Sequence, residues 1–199
     1  MSGTVSTSGT IALDWEARFA AGTTPWERGA VHPALAAWLA AGTLSPGRIL
    51  VPGAGRGAEP LALARAGFAV SVVDVAPRSV AFQREALAGT AAEVVEADLF
   101  AYAPAAPFDA IYDQTCLCAL PPATWSRYAA RLAGWLRPGG VLAVLFMQSG
   151  KHDGPPFHCA EPAMRALFAA PAWAWPDTPA PPIPHPAGFT ELPVLLRRI

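Results

Sequence analysis

Apolar residues gather in five short runs, Arg48–Val51, Ala69–Val73, Ala92–Glu96, Ala110–Tyr112 and Val141–Phe146, each of strand length. Between most of them the apolar positions shift to helical spacing, over Glu59–Ala66, Arg78–Leu87 and Trp125–Trp135. Near-continuous apolar strands alternating with helices predict an α/β fold, a doubly wound and mostly parallel sheet covered on both faces. An antiparallel hairpin, Phe189–Leu192 with Val194–Ile199, closes the sheet at seven strands. Leu136 to Gly140 is expected to end the preceding helix and turn into the fifth strand, through Pro138, Gly139 and Gly140.

Upstream, Ile11–Ala21 reads as a short helix with Leu13, Ala17, Ala20 and Ala21 on one face and Trp15 and Phe19 on another. A loop follows through Gly22-Thr23-Thr24-Pro25-Trp26, and Pro33 starts a helix that Gly42 stops. The proline-rich segment 171–186 is expected to be an irregular surface loop. The organisation predicted is a flexible start over residues 1–10 and one domain over 11–199. In that domain a helical lid (11–45) precedes the sheet core (48–199).

The stretch from Arg48 to Pro77 carries the clearest chemistry. An apolar strand runs into a glycine turn, a short helix, and a second apolar strand that ends in an acid. Gly53 and Gly55 let the backbone turn tightly and approach a ligand that a Cβ would exclude. Asp74 lies 21 residues after Gly53, where a carboxylate accepts hydrogen bonds from the two hydroxyls of a ribose. In a doubly wound sheet, ligands lie beyond the carboxyl ends of the strands. That rule singles out Pro52–Gly57, Asp74–Pro77 (with Val75), Ala97–Phe100, Asp113–Leu117 and Met147–Phe157. Asp98 is placed to accept from an adenine amino group and Leu99 to cover the ring; alone, an Asp after a strand is more often a turn residue.

Gly53, Gly55 and Ala58 also fit the dinucleotide pattern, which seats a pyrophosphate on the N-terminus of the next helix. Here that helix opens with Glu59-Pro60, a carboxylate where the pyrophosphate would sit, although Arg56 offsets some of the repulsion. A cofactor without phosphate and with a cationic sulfonium, S-adenosyl-L-methionine, suits the turn better.

Composition narrows the class. The chain has 199 residues, 53% of them hydrophobic and 15% charged, with a net charge of −1 and no basic stripe, so duplex nucleic acid is an unsuitable partner. Mean hydropathy is +0.30, yet no uninterrupted apolar window reaches membrane-spanning length, and no membrane association is expected. The first ten residues lack a signal-peptide pattern, which makes the cytoplasm the simplest compartment. Cys116, Cys118 and Cys159 fit neither a disulfide framework nor a zinc site, and the histidines are scattered, so no metal is expected.

Four stretches resemble one known family. The run Trp15…Phe19…Gly22-Thr23-Thr24-Pro25-Trp26-Glu27-Arg28-Gly29 with His32-Pro33 is similar to the N-terminal signature of the thiopurine S-methyltransferase family. LVPGAGRG, FDAIYDQTCLCALPP at Phe108–Pro122 and HDGPPFHC at His152–Cys159 continue the likeness, most in the manner of its halide/thiol methyltransferase branch. The resemblance runs from about Trp15 to the C-terminus. It implies a class I, Rossmann-like methyltransferase sheet with an N-terminal segment folded over S-adenosyl-L-methionine. By it, Trp15 and Trp26 contact the cofactor, Pro52, Gly53, Gly55, Asp74 and Val75 hold its methionine and ribose ends, and Asp98, Leu99 and Asp113 complete its site. Asp113, Gln114, Cys116, Met147, His152 and Phe157 become the substrate-pocket candidates. Gln114 falls where some relatives carry arginine, which puts carboxylate recognition of thiopurine type in doubt.

A pocket built from Phe146, Met147, Phe157 and Cys116 suits a small, soft acceptor, a thiol, another chalcogen compound or a halide. Such an acceptor is attacked as an anion and needs no essential general base. The expected protein is therefore a methyltransferase acting on a small molecule, as a monomer or weak homodimer. An NAD(P)-dependent oxidoreductase is the alternative, although Lys151, the only lysine, has no Tyr nearby to form a catalytic pair. A non-catalytic cofactor-binding protein is the other.

Overall fold

The computed structural model describes residues 14–151, 153–178 and 180–199. The start at 1–10, the helix positions Ile11 and Leu13, and the pocket candidate His152 lie outside the described residues. The elements in chain order are α1 (Trp15–Ala20), α2 (Pro33–Ala40), β1 (Arg48–Pro52), α3 (Glu59–Arg65), β2 (Ala69–Asp74), α4 (Pro77–Ala86) and β3 (Glu93–Glu96). There follow β4 (Phe108–Gln114), α5 (Trp125–Trp135), β5 (Leu136–Gln148), α6 (Glu161–Leu167), β6 (Trp173–Ala174), β7 (Ile183–Pro184) and β8 (Thr190–Arg198).

The strands form one sheet in the order β3-β2-β1-β4-β5-β8-β6, with β7 also paired to β8. The pairs among β1 to β5 are parallel, and β8 runs antiparallel to β5. Strand pleating sends alternate residues to opposite faces. Ile49 and Val51 of β1 join Leu35 and Leu63 of the helices on one side, while Leu50 joins Tyr128, Leu132 and Phe168 on the other. This is why the strands read as unbroken apolar runs. Among the described residues no helix is long and apolar enough to cross a membrane.

The sheet differs from the expectation at its antiparallel edge. It has eight strands, not seven, and the hairpin broken at Pro193 is instead one strand, β8, that pairs through Leu145↔Pro193. Only the ends of β8 have a second neighbour, β7 at Glu191 and Thr190 and β6 at Arg197 and Arg198. Its middle is therefore an open edge, where a residue without an N–H is tolerated. The proline-rich segment is also more ordered than expected: it supplies β6 and β7 and buries Trp173 against Phe168, ring centroids 5.5 Å apart. Helix α6 was not foreseen, although Pro162 in its first turn and the Glu161–Arg165 pair at 2.8 Å are ordinary start and support signals. Residues 136–140 do not simply turn: Leu136 already pairs with Phe108, and a register shift precedes Ala110↔Val141.

Candidate active site

A cavity of about 270 Å³ opens where β1 meets β4, the point at which the strand order reverses. Its floor is the glycine turn. Gly53 has φ +57° and donates its N–H to Val73 O at 2.7 Å; Gly55 has φ +53°. A Cβ at Gly53 would stand 2.9 Å from Cys116 Sγ, and one at Gly55 would stand 3.4 Å from Phe19 Cζ. We expect Gly53→Ala to cost about 1–2 kcal/mol from the left-handed backbone alone. Gly22, at φ +66° with nothing within 4 Å of an added Cβ, provides the control. Thermal melts of the two alanine variants should put Gly53→Ala clearly lower, and equal melts would mean that Cys116 simply moves aside.

Asp74 ends β2 and holds this turn in place. Its Oδ2 accepts from Gly55 N at 2.9 Å and Ser79 Oγ at 2.7 Å, and its Oδ1 accepts from Ala76 N at 2.9 Å. Val75, 53% exposed, and Leu99 offer apolar surface to the same cavity. Asp98 also lines it, with Oδ1 closing a turn by accepting from Phe100 N at 2.8 Å.

The N-terminal segment lies over the turn. Trp15 and Trp26 meet edge to face at 5.7 Å, Phe19 and Trp26 at 5.9 Å, and all three line the cavity. Arg56 anchors the segment with a forked pair to Glu27, at 2.6 and 3.0 Å, and a bond to Thr24 Oγ1 at 3.1 Å. Its guanidinium is thereby committed and does not serve a phosphate. Glu59, first in α3, is buried in the cavity wall and accepts from His32 N at 3.0 Å; burial pushes its carboxyl above the ordinary range.

Beyond β4 the chain bends sharply, with Thr115 at φ +57°. Asp113 holds this bend, accepting from Tyr128 OH at 2.8 Å, Cys116 N at 3.3 Å and Leu117 N at 3.2 Å. It is completely buried and its carboxyl is pushed up to about 6 by that burial. Gln114 lines the cavity and accepts from Tyr112 OH at 2.7 Å, which orients its amide. Burial pushes the Cys116 and Cys118 thiols well up, so these wall residues are not nucleophiles.

The cavity thus brings together Trp15, Trp26, Gly53, Gly55, Asp74, Val75, Asp98, Leu99, Gln114, Cys116 and Met147. Four expected wall residues lie elsewhere, one of them Phe146, which is wholly buried in the core and stacks on Trp175 at 5.8 Å. Asp113 is sealed behind the wall, Pro52 is buried in the β1–β2 ladder opposite Val73, and Phe157 folds back against Gly154 with its N–H on Cys118 O at 2.8 Å. Pro155 and Pro156 face the cavity in place of Phe157. Sequence reasoning gave no cavity role to Phe19, Arg28, Tyr112, Leu120, His185 or Phe189, all of which line it. Phe19 falls on the Trp15 face of the expected first helix, a usable signal; His185 sits in a proline-rich stretch without periodicity, which gives none.

The family described as thiopurine S-methyltransferase (TPMT) matches residues 12–176. The chain belongs to the thiopurine S-methyltransferase family. It is 32% identical over 148 residues to the probable thiol methyltransferase 2 of Arabidopsis thaliana, covering 72% of this chain and 66% of that protein. It is 31% identical over 175 residues to the thiopurine S-methyltransferase of Pseudomonas entomophila, covering 78% and 81%. The chain therefore spans about two thirds of the first of these relatives and more of the second. Among solved structures, the 1,6-didemethyltoxoflavin-N1-methyltransferase of Burkholderia thailandensis superposes with a TM-score of 0.69 at 25% identity, over 92% of this chain and 84% of that one. That structure holds its substrate and S-adenosylhomocysteine. Family and fold agree: this is a class I methyltransferase sheet.

Proposed function

We propose that the chain is a single-domain S-adenosylmethionine-dependent methyltransferase acting on a small, soft nucleophile, a thiol, related chalcogen compound or halide. The observation that carries it is one cavity in which a glycine turn with a carboxylate at the start of the next helix runs into an apolar wall, which supports a phosphate-free nucleoside at one end and an apolar acceptor at the other. The residues present fit that cofactor. A Cβ would fill the Gly53 cradle, Glu59 occupies the helix start that a pyrophosphate requires, and Arg56 is spent on Glu27. Family membership points the same way, and nothing among the described residues of the site favours a nicotinamide cofactor.

When bound, S-adenosylmethionine supplies a methyl group on a cationic sulfur; the acceptor's lone pair forms the new bond to carbon as the carbon–sulfur pair returns to a neutral thioether. The chain's contribution is binding, alignment and exclusion of water. Val75 and Leu99 cover the adenine side, Asp98 offers its remaining oxygen, and Trp15, Phe19 and Trp26 close the top. At the acceptor end Met147, Leu120, Pro155, Pro156 and Phe189 make a dry wall, which strengthens an anionic nucleophile by stripping its hydration. Among the described residues no cavity-lining group there is placed as a general base: Asp113 is sealed off and the two thiols are held protonated.

Calorimetry and a transfer assay test this together. S-adenosylhomocysteine should bind and NAD should not, and methyl transfer should reach iodide, hydrosulfide or a thiol in preference to an amine or alcohol. NAD binding, or transfer to the amine alone, overturns the reading.

A further inference from the structure

The acceptor end contains polar atoms that the methyl-transfer reading leaves unused. Among the described residues, the buried atoms Arg28 Nε, His185 Nε2 and Glu191 Oε1 have no hydrogen-bond partner. Arg28 and His185 line the cavity; Glu191 lies behind them, wholly buried. Buried polar groups are nearly always paired, so each such atom asks for a role.

His185 is held unusually firmly. Its N–H donates to Phe189 O at 2.9 Å, its carbonyl accepts from Gly188 N at 3.0 Å, and its ring stacks on Phe189 at 6.2 Å. Its Nδ1 accepts from Ala187 N at 3.1 Å, which leaves the ring proton on Nε2. The residue is 4% exposed, and burial lowers its proton affinity, which keeps the ring neutral. The one unspent function is a buried N–H donor on a residue of the cavity wall.

Arg28 is fixed beside it. Its Nη2 donates to Pro184 O and to Glu191 Oε2, both at 2.6 Å, and His32 Nε2 donates to the same carboxylate oxygen at 3.0 Å. Burial works against the Glu191 charge, but these two partners hold its carboxyl below the ordinary value. The remaining polar function of Gln114 is its amide N–H, since its oxygen is taken by Tyr112. Lys151 lies over the Phe189 ring at 4.9 Å. Among the described residues the unspent groups at this end are N–H donors; Glu191 lies behind the wall, and Glu59, a carboxylate of the wall that feels the Arg28 charge, already accepts from His32 N at 3.0 Å.

We propose that His185 Nε2–H and Arg28 Nε–H form the acceptor-recognition pair, so that the pocket selects a compact anionic nucleophile over a neutral one. This rests on the soft-acceptor reading above. The pair fixes where the anion sits, while the apolar wall removes its water. Glu191 and His32 are positioning residues that act by holding Arg28. The competing role for His185 is purely structural, as the tie of the β7–β8 turn.

Two substitutions separate these roles, because His carries its two functions on different nitrogens. His185→Asn keeps an acceptor for Ala187 N and loses the cavity donor; His185→Gln keeps a donor at the Nε2 position and loses the turn acceptor. With iodide as the probe at saturating S-adenosylmethionine, H185N should raise KM roughly tenfold or more, the loss expected when a charged partner forfeits a hydrogen bond. H185Q should keep a KM close to wild type even if it melts lower. Affinity for S-adenosylhomocysteine, measured by calorimetry, should hold in both and reports that the pocket is folded. In crystals of the S-adenosylhomocysteine complex soaked with iodide, an anomalous peak should lie against Nε2 in wild type and vanish in H185N. Unchanged KM in H185N, or equal losses in both variants, overturns the recognition role. Wild type that binds S-adenosylhomocysteine yet methylates neither iodide, hydrosulfide nor any thiol has a different signature: it removes the soft-acceptor reading and this inference with it.

Discussion

Replacing Asp74 by alanine should destabilise the free protein by about 3 kcal/mol or more, and it should abolish most cofactor affinity as a consequence. The carboxylate accepts from Gly55 N, Ser79 Oγ and Ala76 N at 2.7–2.9 Å in a buried site. Each donor left unpaired costs about 1–3 kcal/mol, with water relieving part of it at the cavity edge. A carboxylate has roughly four acceptor positions, so three are already spent and one remains for a ribose hydroxyl. The residue thus acts first on the protein and only then on the ligand. Denaturant unfolding without ligand, alongside calorimetric titration of S-adenosylhomocysteine, separates the two effects. Lost binding with unchanged stability would show that Asp74 is simply a ribose ligand.

The second large effect concerns pH. Burial raises the Asp113 carboxyl from 3.8 to about 6, against the pull of Tyr128 OH and the Leu117 and Cys116 N–H groups. A folded-state value above the unfolded one means that the folded protein binds the proton more tightly. The contribution is therefore full below about pH 4 and is lost as pH rises through about 6, amounting to about 3 kcal/mol. Glu59, also raised by burial, adds in the same direction, whereas Glu191, held low by His32 and Arg28, opposes it by losing stability as pH falls. The informative quantity is accordingly the difference between wild type and Asp113→Asn. That difference should shift by about 3 kcal/mol between pH 4 and pH 7, in favour of the variant at the higher pH. Parallel stability curves for the two proteins would refute the burial assignment. Since Asp113 does not line the cavity, the variant should still bind S-adenosylhomocysteine at pH 7.

Where one short-range rule decides the structure, the sequence was readable. The central parallel strands announced themselves because both their faces are buried, and helix α5 was bounded correctly because its amphipathic face is strong and it starts at the end of a proline turn. The glycine turn and Asp74 followed from spacing alone. The misjudged parts depend on distant neighbours. Pro193 looks like a strand breaker until the open outer edge of β8 is known, and Asp113 looks like a cavity acid until Tyr128 is found covering it. Phe157 is displaced by the backbone of its own loop, which no side-chain pattern reports. His185 and Arg28 stand 157 positions apart in the chain, and only the fold brings their environments together through Pro184 and Glu191.

The tie from Arg28 and His32 to Glu191 bears on the order in which the molecule is assembled. Its bonds span 159 and 163 positions, among the longest-range side-chain contacts of the chain. Contacts of that reach form late, because the intervening chain must first be organised. During synthesis the hydrogen bonds around Gly55 and Asp74 have their partners once residue 83 has emerged, and the wall against Gly53 follows with Cys116, whereas Arg28 waits for the strand that carries Glu191. A growing chain should accordingly acquire a nucleoside-shaped cleft well before it acquires a place for the acceptor. The two halves of the pocket are thus separated in time as they are in sequence, and a chain released before β8 is expected to lack the acceptor end.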